Sequence, residues 1–264
     1  MRRLLFCFCL IVLTFGILSC HKSEETLSKD TLVVGMDLSY PPFETIDEQG
    51  NPTGVSVDLA KALGEYLGKK IKIQNIPFAG LIPSLKTNKI DLIISSMTAT
   101  PERRESIAFS DPYLTTGLAI LVRKNSIAGM DELDLPGKTV VVRQGTTGQN
   151  FATKHIQQAK VVTLDKESSA VLEVVQGKAD GFIYDQMSVW KNWQAHPDTT
   201  TALLAPLQSE GWAIGMRKND DALQTKVNAF LKKFKTDGGF VKLGDKYLRA
   251  QKEAFKAQKI PFMF

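Results

Sequence analysis

The chain has 264 residues, of which 43% are hydrophobic and 23% charged. Those are the values of a globular protein that buries a core in one large or two medium domains, and they exclude a disordered or fibrous chain. The formal net charge is +5 with the basic residues scattered, which excludes a nucleic-acid-binding footprint.

The first residues read as targeting rather than fold. Arg2 and Arg3 precede the apolar run LLFCFCLIVLTFGIL, which is short for a spanning helix and has no charged stop-transfer flank. A signal peptide is expected over 1–19. The following ILSC matches the bacterial lipobox except at Leu18, where a small residue is usual, so Cys20 is expected to be the lipidated first residue of the mature protein. Cys7, Cys9 and Cys20 are the only cysteines. The remaining chain therefore has no disulfide framework, cysteine zinc site or thiol nucleophile. HKSEETLSKD is polar and without periodicity, and 20–30 reads as a tether.

Beyond the tether the apolar pattern alternates between the periods of strand and helix. TLVVGMD is a short buried strand ending at Gly35 and Asp37. YPPFE must be extended, because a residue before proline is driven out of the helical region, and GNPTG is a turn. The spacing of Val55, Leu59 and Leu63 with Ala62, Tyr66 and Leu67 predicts a helix with one apolar face, closed by Gly68. KIKIQNI alternates as a strand. AGLIPSLKTNK predicts a short helix that tolerates Pro83 only in its first turn. IDLII is a buried strand, and SSMTAT is the loop leaving it. In TPERRESIAF, Thr100 is placed to cap a helix with Pro101 in its first position.

The alternation resumes after residue 123. KTVVV, KVVTL and DGFIY predict strands, each followed by a helix, over QNFATKHIQQ, ESSAVLEVVQGK and QMSVWKNWQ. The fold class is α/β, in two units that each hold a mostly parallel sheet flanked by helices. Ligands of open α/β sheets bind beyond the carboxyl ends of the strands. The strand ends deliver Asp37 and Tyr40, Phe78, Ser95, Ser96 and Thr98, Arg143 through Thr147, and Tyr184 with Asp185, while Arg103 lies in the first turn of a helix. A guanidinium can take a carboxylate through two parallel hydrogen bonds. An aspartate accepts from an ammonium, and two aromatics can sandwich an aliphatic stem. A zwitterionic α-amino acid needs this set. RQGTTGQ has no lysine after its glycines and is no P-loop.

VVGMDLSYPPFE, GVSVDLAKALGEYLG, FAGLIPSLKTNKIDLIISSMTATPERRESIAFSDPY, VVRQGTTGQ and GKADGFIYD resemble the polar amino-acid-binding proteins of bacterial ABC importers, solute-binding protein family 3. The resemblance runs from about Thr31 to Lys246, and the ending QKIPFMF looks like a tail of some members. It implies two lobes of a periplasmic-binding-protein-like fold (type II), with 30–115 plus 213–264 as lobe 1 and 116–212 as lobe 2, joined by crossings near LTTGLA and SEGWAIG. It also implies an extracytoplasmic, lipid-anchored monomer in the periplasm or at the cell surface. Its partners would be a free amino acid and the permease and ATPase subunits of a transporter.

Residue by residue, the resemblance assigns Arg103 to the ligand carboxylate and Asp185 to its ammonium. Ser95, Ser96 and Thr98 form the loop that holds the α-groups, and Thr147 reaches the carboxylate from lobe 2. Tyr40 and Phe78 flank the ligand side chain and Asp37 faces its far end. Tyr184 and Arg143 complete the expected lining. Asp37 favours a cationic or amide ligand, and Arg143 favours the amide unless it pairs with Asp37 or points to solvent. Glutamine leads on that ground, with arginine or lysine close behind.

Plainer duties remain open for several of these residues. Tyr40 and Phe78 are equally readable as core aromatics, Asp185 as a helix cap, and Arg104 as solvated. Trp190 and Trp193 read as packing residues of lobe 2. No cofactor and no metal site are expected, because His21, His155 and His196 are scattered. No nucleophile, base and orienting group converge either. Two other classes share this fold: cyclohexadienyl dehydratases, which act on a substrate without an amino group, and sensory modules that report ligand to a membrane kinase.

Overall fold

The computed structural model describes residues 25–257. The expected signal peptide, Cys20 and the last seven residues lie outside them. The described chain begins with α1 (Glu25–Ser28) and β1 (Thr31–Met36), then a hairpin of β2 (Thr45–Ile46) and β3 (Pro52–Thr53). It continues through α2 (Val55–Leu67), β4 (Lys70–Asn75), a 3-10 turn at Phe78–Gly80, α3 (Leu81–Lys86), β5 (Leu92–Ile93), α4 (Pro101–Ser106) and β6 (Ala108–Phe109). The long β7 (Leu114–Arg123) leads to α5 (Met130–Leu133), β8 (Thr139–Arg143), α6 (Thr147–His155), β9 (Lys160–Leu164), α7 (Glu167–Val175) and β10 (Gly181–Asp185). Next come α8 (Gln186–Ala195), β11 (Thr200–Leu203), β12 (Ser209–Trp212), β13 (Gly215–Met216), α9 (Asp221–Thr236), α10 (Gly239–Tyr247) and α11 (Arg249–Ala257).

These strands form two main sheets, one per lobe, ordered β4-β1-β5-β13-β6 and β11-β7-β10-β8-β9. The parallel pairings are those that strand–helix alternation imposes, since a parallel neighbour needs a crossover: β4 and β5 on β1, and β9 and β10 on β8. Both sheets are mixed, because β13 runs antiparallel to β5 and β6, and β7 runs antiparallel to β10 and β11. The antiparallel strands come from the two crossings. There β12 pairs with the start of β7, Ser209 opposite Gly117 and Trp212 opposite Leu114, so the crossings are one hydrogen-bonded ribbon.

Local chemistry fixes the elements that carry the cleft. Thr100 caps α4 by accepting from the Arg103 amide at 3.2 Å, with Pro101 at the first position. Pro83 lies in the first turn of α3, where it breaks no internal hydrogen bond. In α2, Val55, Leu59 and Leu63 are buried as their spacing predicts, and Gly68 closes the helix at φ 65°. The buried stripe is rotated from the predicted one, however. Val57, Ala60 and Gly64 are buried, and Tyr66 is exposed. A Cβ on Gly64 would come within 2.5 Å of Ile71 and 2.8 Å of the Lys69 carbonyl. The small residue brings the helix down onto β4, and Tyr66 is turned out.

Two further differences concern the ends. Part of the segment expected as a tether is folded. Thr26 is buried and its hydroxyl accepts from Arg217 at 2.7 Å, while Lys29 pairs with Asp91 at 2.6 Å. At the other end α11 reaches α8, where buried Phe255 meets Trp190 edge to face at 6.2 Å. Trp190 is thus a packing residue, with a partner from the C-terminal helix.

Candidate functional site

All eleven ligand-contact residues expected from the sequence line one cavity between the lobes, joined there by Glu44, Thr146, Glu210 and Trp212. From the first lobe, β1 ends one residue before Asp37, and the Ser95 hydroxyl, on the loop after β5, accepts from the Asp37 amide at 2.9 Å. Ser96 is held at φ 48°, the left-handed region that a side chain occupies at some cost. Arg103 is buried in the first turn of α4 and donates to the Thr98 carbonyl at 2.7 Å. Burial pulls its pKa down to about 10 against the opposing charge of Glu210, so it stays cationic at neutral pH. Arg104, one position on, is exposed.

From the second lobe, β8 ends at Arg143 and β10 ends at Tyr184 and Asp185. Asp185 lines the cavity and also takes the plainer duty, capping α8 by accepting from the amides of Met187 at 3.0 Å and Ser188 at 3.1 Å. Burial pushes its carboxyl up to about 7, although the Tyr40 hydroxyl and the Ser188 amide oppose the shift. Thr146 caps α6 and Thr147 opens it. Gly148 has to be glycine there, since a Cβ would lie 2.4 Å from the Ile183 carbonyl of β10. The GTTG stretch is therefore a strand-to-helix turn pressed against the neighbouring strand.

The lobes meet directly across this cavity. Tyr40 donates to Asp185 at 2.6 Å, and Arg103 donates to the Gly145 carbonyl at 3.0 Å. Arg143 forms an ion pair with Asp37, donates to the Tyr184 hydroxyl at 3.1 Å, and reaches the Asp165 carbonyl at 3.2 Å. Asp37 is further engaged by the Ser39 hydroxyl at 2.6 Å and the Phe78 amide at 2.8 Å. Of the alternatives left open by the sequence, pairing of Arg143 with Asp37 is the one realised. Tyr40 is both a core aromatic, stacked on Phe43 at 5.3 Å, and a cavity wall. Phe78 is half-buried, with the Arg103 guanidinium 5.4 Å from its ring centre. About 30 Å³ remains between these side chains, too little for a molecule the size of an amino acid.

Two acids were missed by sequence reasoning. Glu44 accepts from the hydroxyls of Ser95 at 3.3 Å and Ser96 at 3.1 Å, and burial pushes its carboxyl up to about 8 against the pull of the Ser56, Ser96 and Ser95 hydroxyls. Glu210 accepts from Thr98 at 3.2 Å. The signal for Glu44 was its place in YPPFE, which folds as a tight turn rather than the expected extended stretch: the amides of Phe43 and Glu44 donate to the Tyr40 carbonyl at 2.9 and 3.0 Å, which brings Glu44 back beside Tyr40. Glu210 lies in a crossing, which reads in sequence as a connector.

The arrangement is a shut cleft with a guanidinium from one lobe, a carboxylate from the other, and hydroxyls between them. The curated arginine-binding extracellular protein ArtP of Bacillus subtilis (strain 168) is 32% identical over 259 residues, spanning 96% of this chain and 100% of that protein. Among solved structures, an ancestral arginine-binding protein bound to glutamine superposes with a TM-score of 0.77 at 34% identity, covering 83% of this chain and 98% of that one. Holo ArgBP from T. maritima superposes with a TM-score of 0.74 at 41% identity, covering 80% of this chain and 93% of that one. The family model of the bacterial extracellular solute-binding proteins, family 3, matches residues 32–250. The chain belongs to that family.

Proposed function

We propose that the protein is the extracytoplasmic binding component of an ABC importer, which closes on a polar L-amino acid and delivers it to a membrane permease driven by an ATPase. On this reading it is a lipid-anchored monomer that performs no catalysis. The observation that carries it is the pair Arg103 and Asp185: opposite charges from opposite lobes, each buried, each bonded to a group of the other lobe. The α-carboxylate takes the place of the Gly145 carbonyl on Arg103, with Thr98 and Thr147 alongside. The ammonium takes the place of the Tyr40 hydroxyl on Asp185. Ligand thus bonds both lobes only when they are closed, which supplies the differential affinity that shifts an open–closed equilibrium.

For the side chain, the Asp37–Arg143 pair leaves both readings open, since each charge answers the other: glutamine can accept from Arg143 and donate to Asp37, and a cationic tip can share Asp37. Arginine or lysine is the second reading. Glu210 favours it by adding an acidic group to the cavity, and so do the arginine-binding relatives. A dehydratase has little use for an ammonium-binding Asp185.

The test is a thermal-shift screen of unfolded and refolded protein against the twenty amino acids, ornithine and cystine. At 1 mM ligand and a Kd near 1 μM, the stabilisation is about 4 kcal/mol, or on the order of 8–16 °C for a chain of this size. Silence across the panel rejects the amino-acid reading, and turnover of prephenate then tests the enzyme.

A dependence on pH follows from the raised carboxyls. Asp185 and Glu44 hold protons in the folded state to about pH 7 and 8, well above ordinary carboxylates. Their stabilising contribution is full below about pH 4 and is lost as pH rises through those values. Ligand-free protein should therefore melt at lower temperature at pH 8 than at pH 5.5. A ligand ammonium favours ionised Asp185, so affinity should rise with pH, on the order of 10- to 30-fold from pH 5.5 to 8. Calorimetry that is flat over this range would contradict Asp185 as the ammonium partner.

A further inference from the structure

Glu210 brings an acid from the ribbon between the lobes into the cavity. It is the second residue of β12, opposite Thr116 of β7. It lines the cavity and is only 4% exposed. Oε1 accepts from the Gln208 side-chain amide and Oε2 from the Thr98 hydroxyl, each at 3.2 Å. Its negative charge bears on Arg103, where it opposes the effect of burial, and on Asp185, where it adds to that effect. Glu210 is thus near both groups assigned to the ligand's α-carboxylate and ammonium.

A bracing role does not account for it. The loop that carries Thr98 is already fastened to this crossing by the backbone: the Ala99 amide donates to the Gly211 carbonyl and the Ala213 amide to the Met97 carbonyl, each at 3.0 Å. The Thr98 hydroxyl has a single proton to give. When that proton turns to a ligand carboxylate held on Arg103, Oε2 of Glu210 loses its donor, and a buried acceptor left without one costs free energy. The ligand itself brings the replacement. An α-ammonium carries three N–H groups and sits one carbon away from the carboxylate. Asp185 cannot take them all, since its Oδ1 already accepts from Tyr40, Met187 and Ser188.

We propose that Glu210 is a second acceptor for the ligand's α-ammonium, taking one of its N–H groups on the oxygen that Thr98 gives up. The inference rests on the reading of Arg103 and Asp185 as the α-carboxylate and ammonium partners. Thr98 then works as an exchange. Its proton serves Glu210 in this structure and the ligand carboxylate in the complex. The site thereby selects for the amino group itself. A carboxylic acid with the same side chain but no α-ammonium leaves both Asp185 and Glu210 unanswered, which counts against it.

Calorimetry on the full refolded chain compares the amino acid that binds in the thermal-shift screen with its desamino analogue, which has hydrogen in place of the ammonium. The wild-type protein is expected to prefer the amino acid at least about 100-fold, the scale of a buried charge pair broken from one side. Glu210→Gln is expected to weaken the amino acid about 10- to 100-fold, the worth of one hydrogen bond to a charged group. The desamino analogue should bind this variant as well as it binds the wild type, or tighter, because Arg103 is relieved of a competing anion. That binding also reports that the variant folds. Asp185→Asn keeps a side chain able to cap α8, and should retain a preference of at least about 10-fold through Glu210. Equal weakening of both compounds by Glu210→Gln makes the residue a brace and overturns the proposal, as does unchanged binding of the amino acid. So does an Asp185→Asn protein that no longer tells the two compounds apart, a result that needs no change at Glu210. A wild-type preference under about 10-fold overturns the ammonium assignment as a whole. Failure of every amino acid to bind overturns the amino-acid reading and Glu210's role with it.

Discussion

Replacing Arg103 with alanine is expected to raise the Kd for the amino acid at least about 30-fold, measured by calorimetry on refolded protein. Losing one partner of a buried charged pair costs roughly 2–5 kcal/mol, and Arg103 is buried beside Thr98 with its guanidinium directed across the cleft to Gly145. Lysine is expected to rescue little, because a point charge cannot reproduce the planar fork that takes a carboxylate through two bonds. The fold should survive either change, since the cap of α4 uses the Arg103 backbone amide, which every residue but proline retains. Near-normal binding by Arg103→Ala would contradict the assigned orientation of the ligand.

Arg143→Leu is expected to act on stability and selectivity together. It leaves Asp37 buried without its cation, and breaking a buried ion pair from one side costs about 3–5 kcal/mol. For a chain of this size the melting temperature should fall on the order of 10 °C. A ligand that brings its own cation to Asp37 should recover part of that loss, whereas glutamine should not. The affinity for arginine or lysine relative to glutamine is therefore expected to rise at least about 10-fold. A ratio unchanged in calorimetry would place Arg143 outside the ligand's surroundings.

What was legible in the sequence is what local rules decide. Thr100 and Pro101 announce α4, Gly68 closes α2, and the strands deliver Asp37, Arg143 and Asp185 because a strand's end is set by its own residues. The resemblance added the gathering of these residues in one place. What was not legible depends on chain segments far apart. Glu44 meets Ser95 and Ser96 across 51 and 52 residues, and Glu210 meets Thr98 across 112. Thr26 leaves the expected tether for Arg217, 191 residues away. The rotation of α2 was hidden for a related reason. Hydrophobicity alone ranks Tyr66 above Gly64, but the closeness of Ile71 rewards the residue that takes up no room.

The ribbon of β7 and β12 bears on how the cleft moves. Two independent linkers would let the lobes twist, slide and tilt against each other. Strands stitched side by side resist bending within their own plane, because that would stretch one strand relative to the other, and they flex across their flat face. Gly117 tightens the stitching, since a Cβ there would lie 2.7 Å from Pro206 and 2.9 Å from the Gln208 carbonyl. The lobes are thereby left with a single swing axis. If Arg103 and Asp185 hold the ligand as proposed, both meet it at the same setting on every closure.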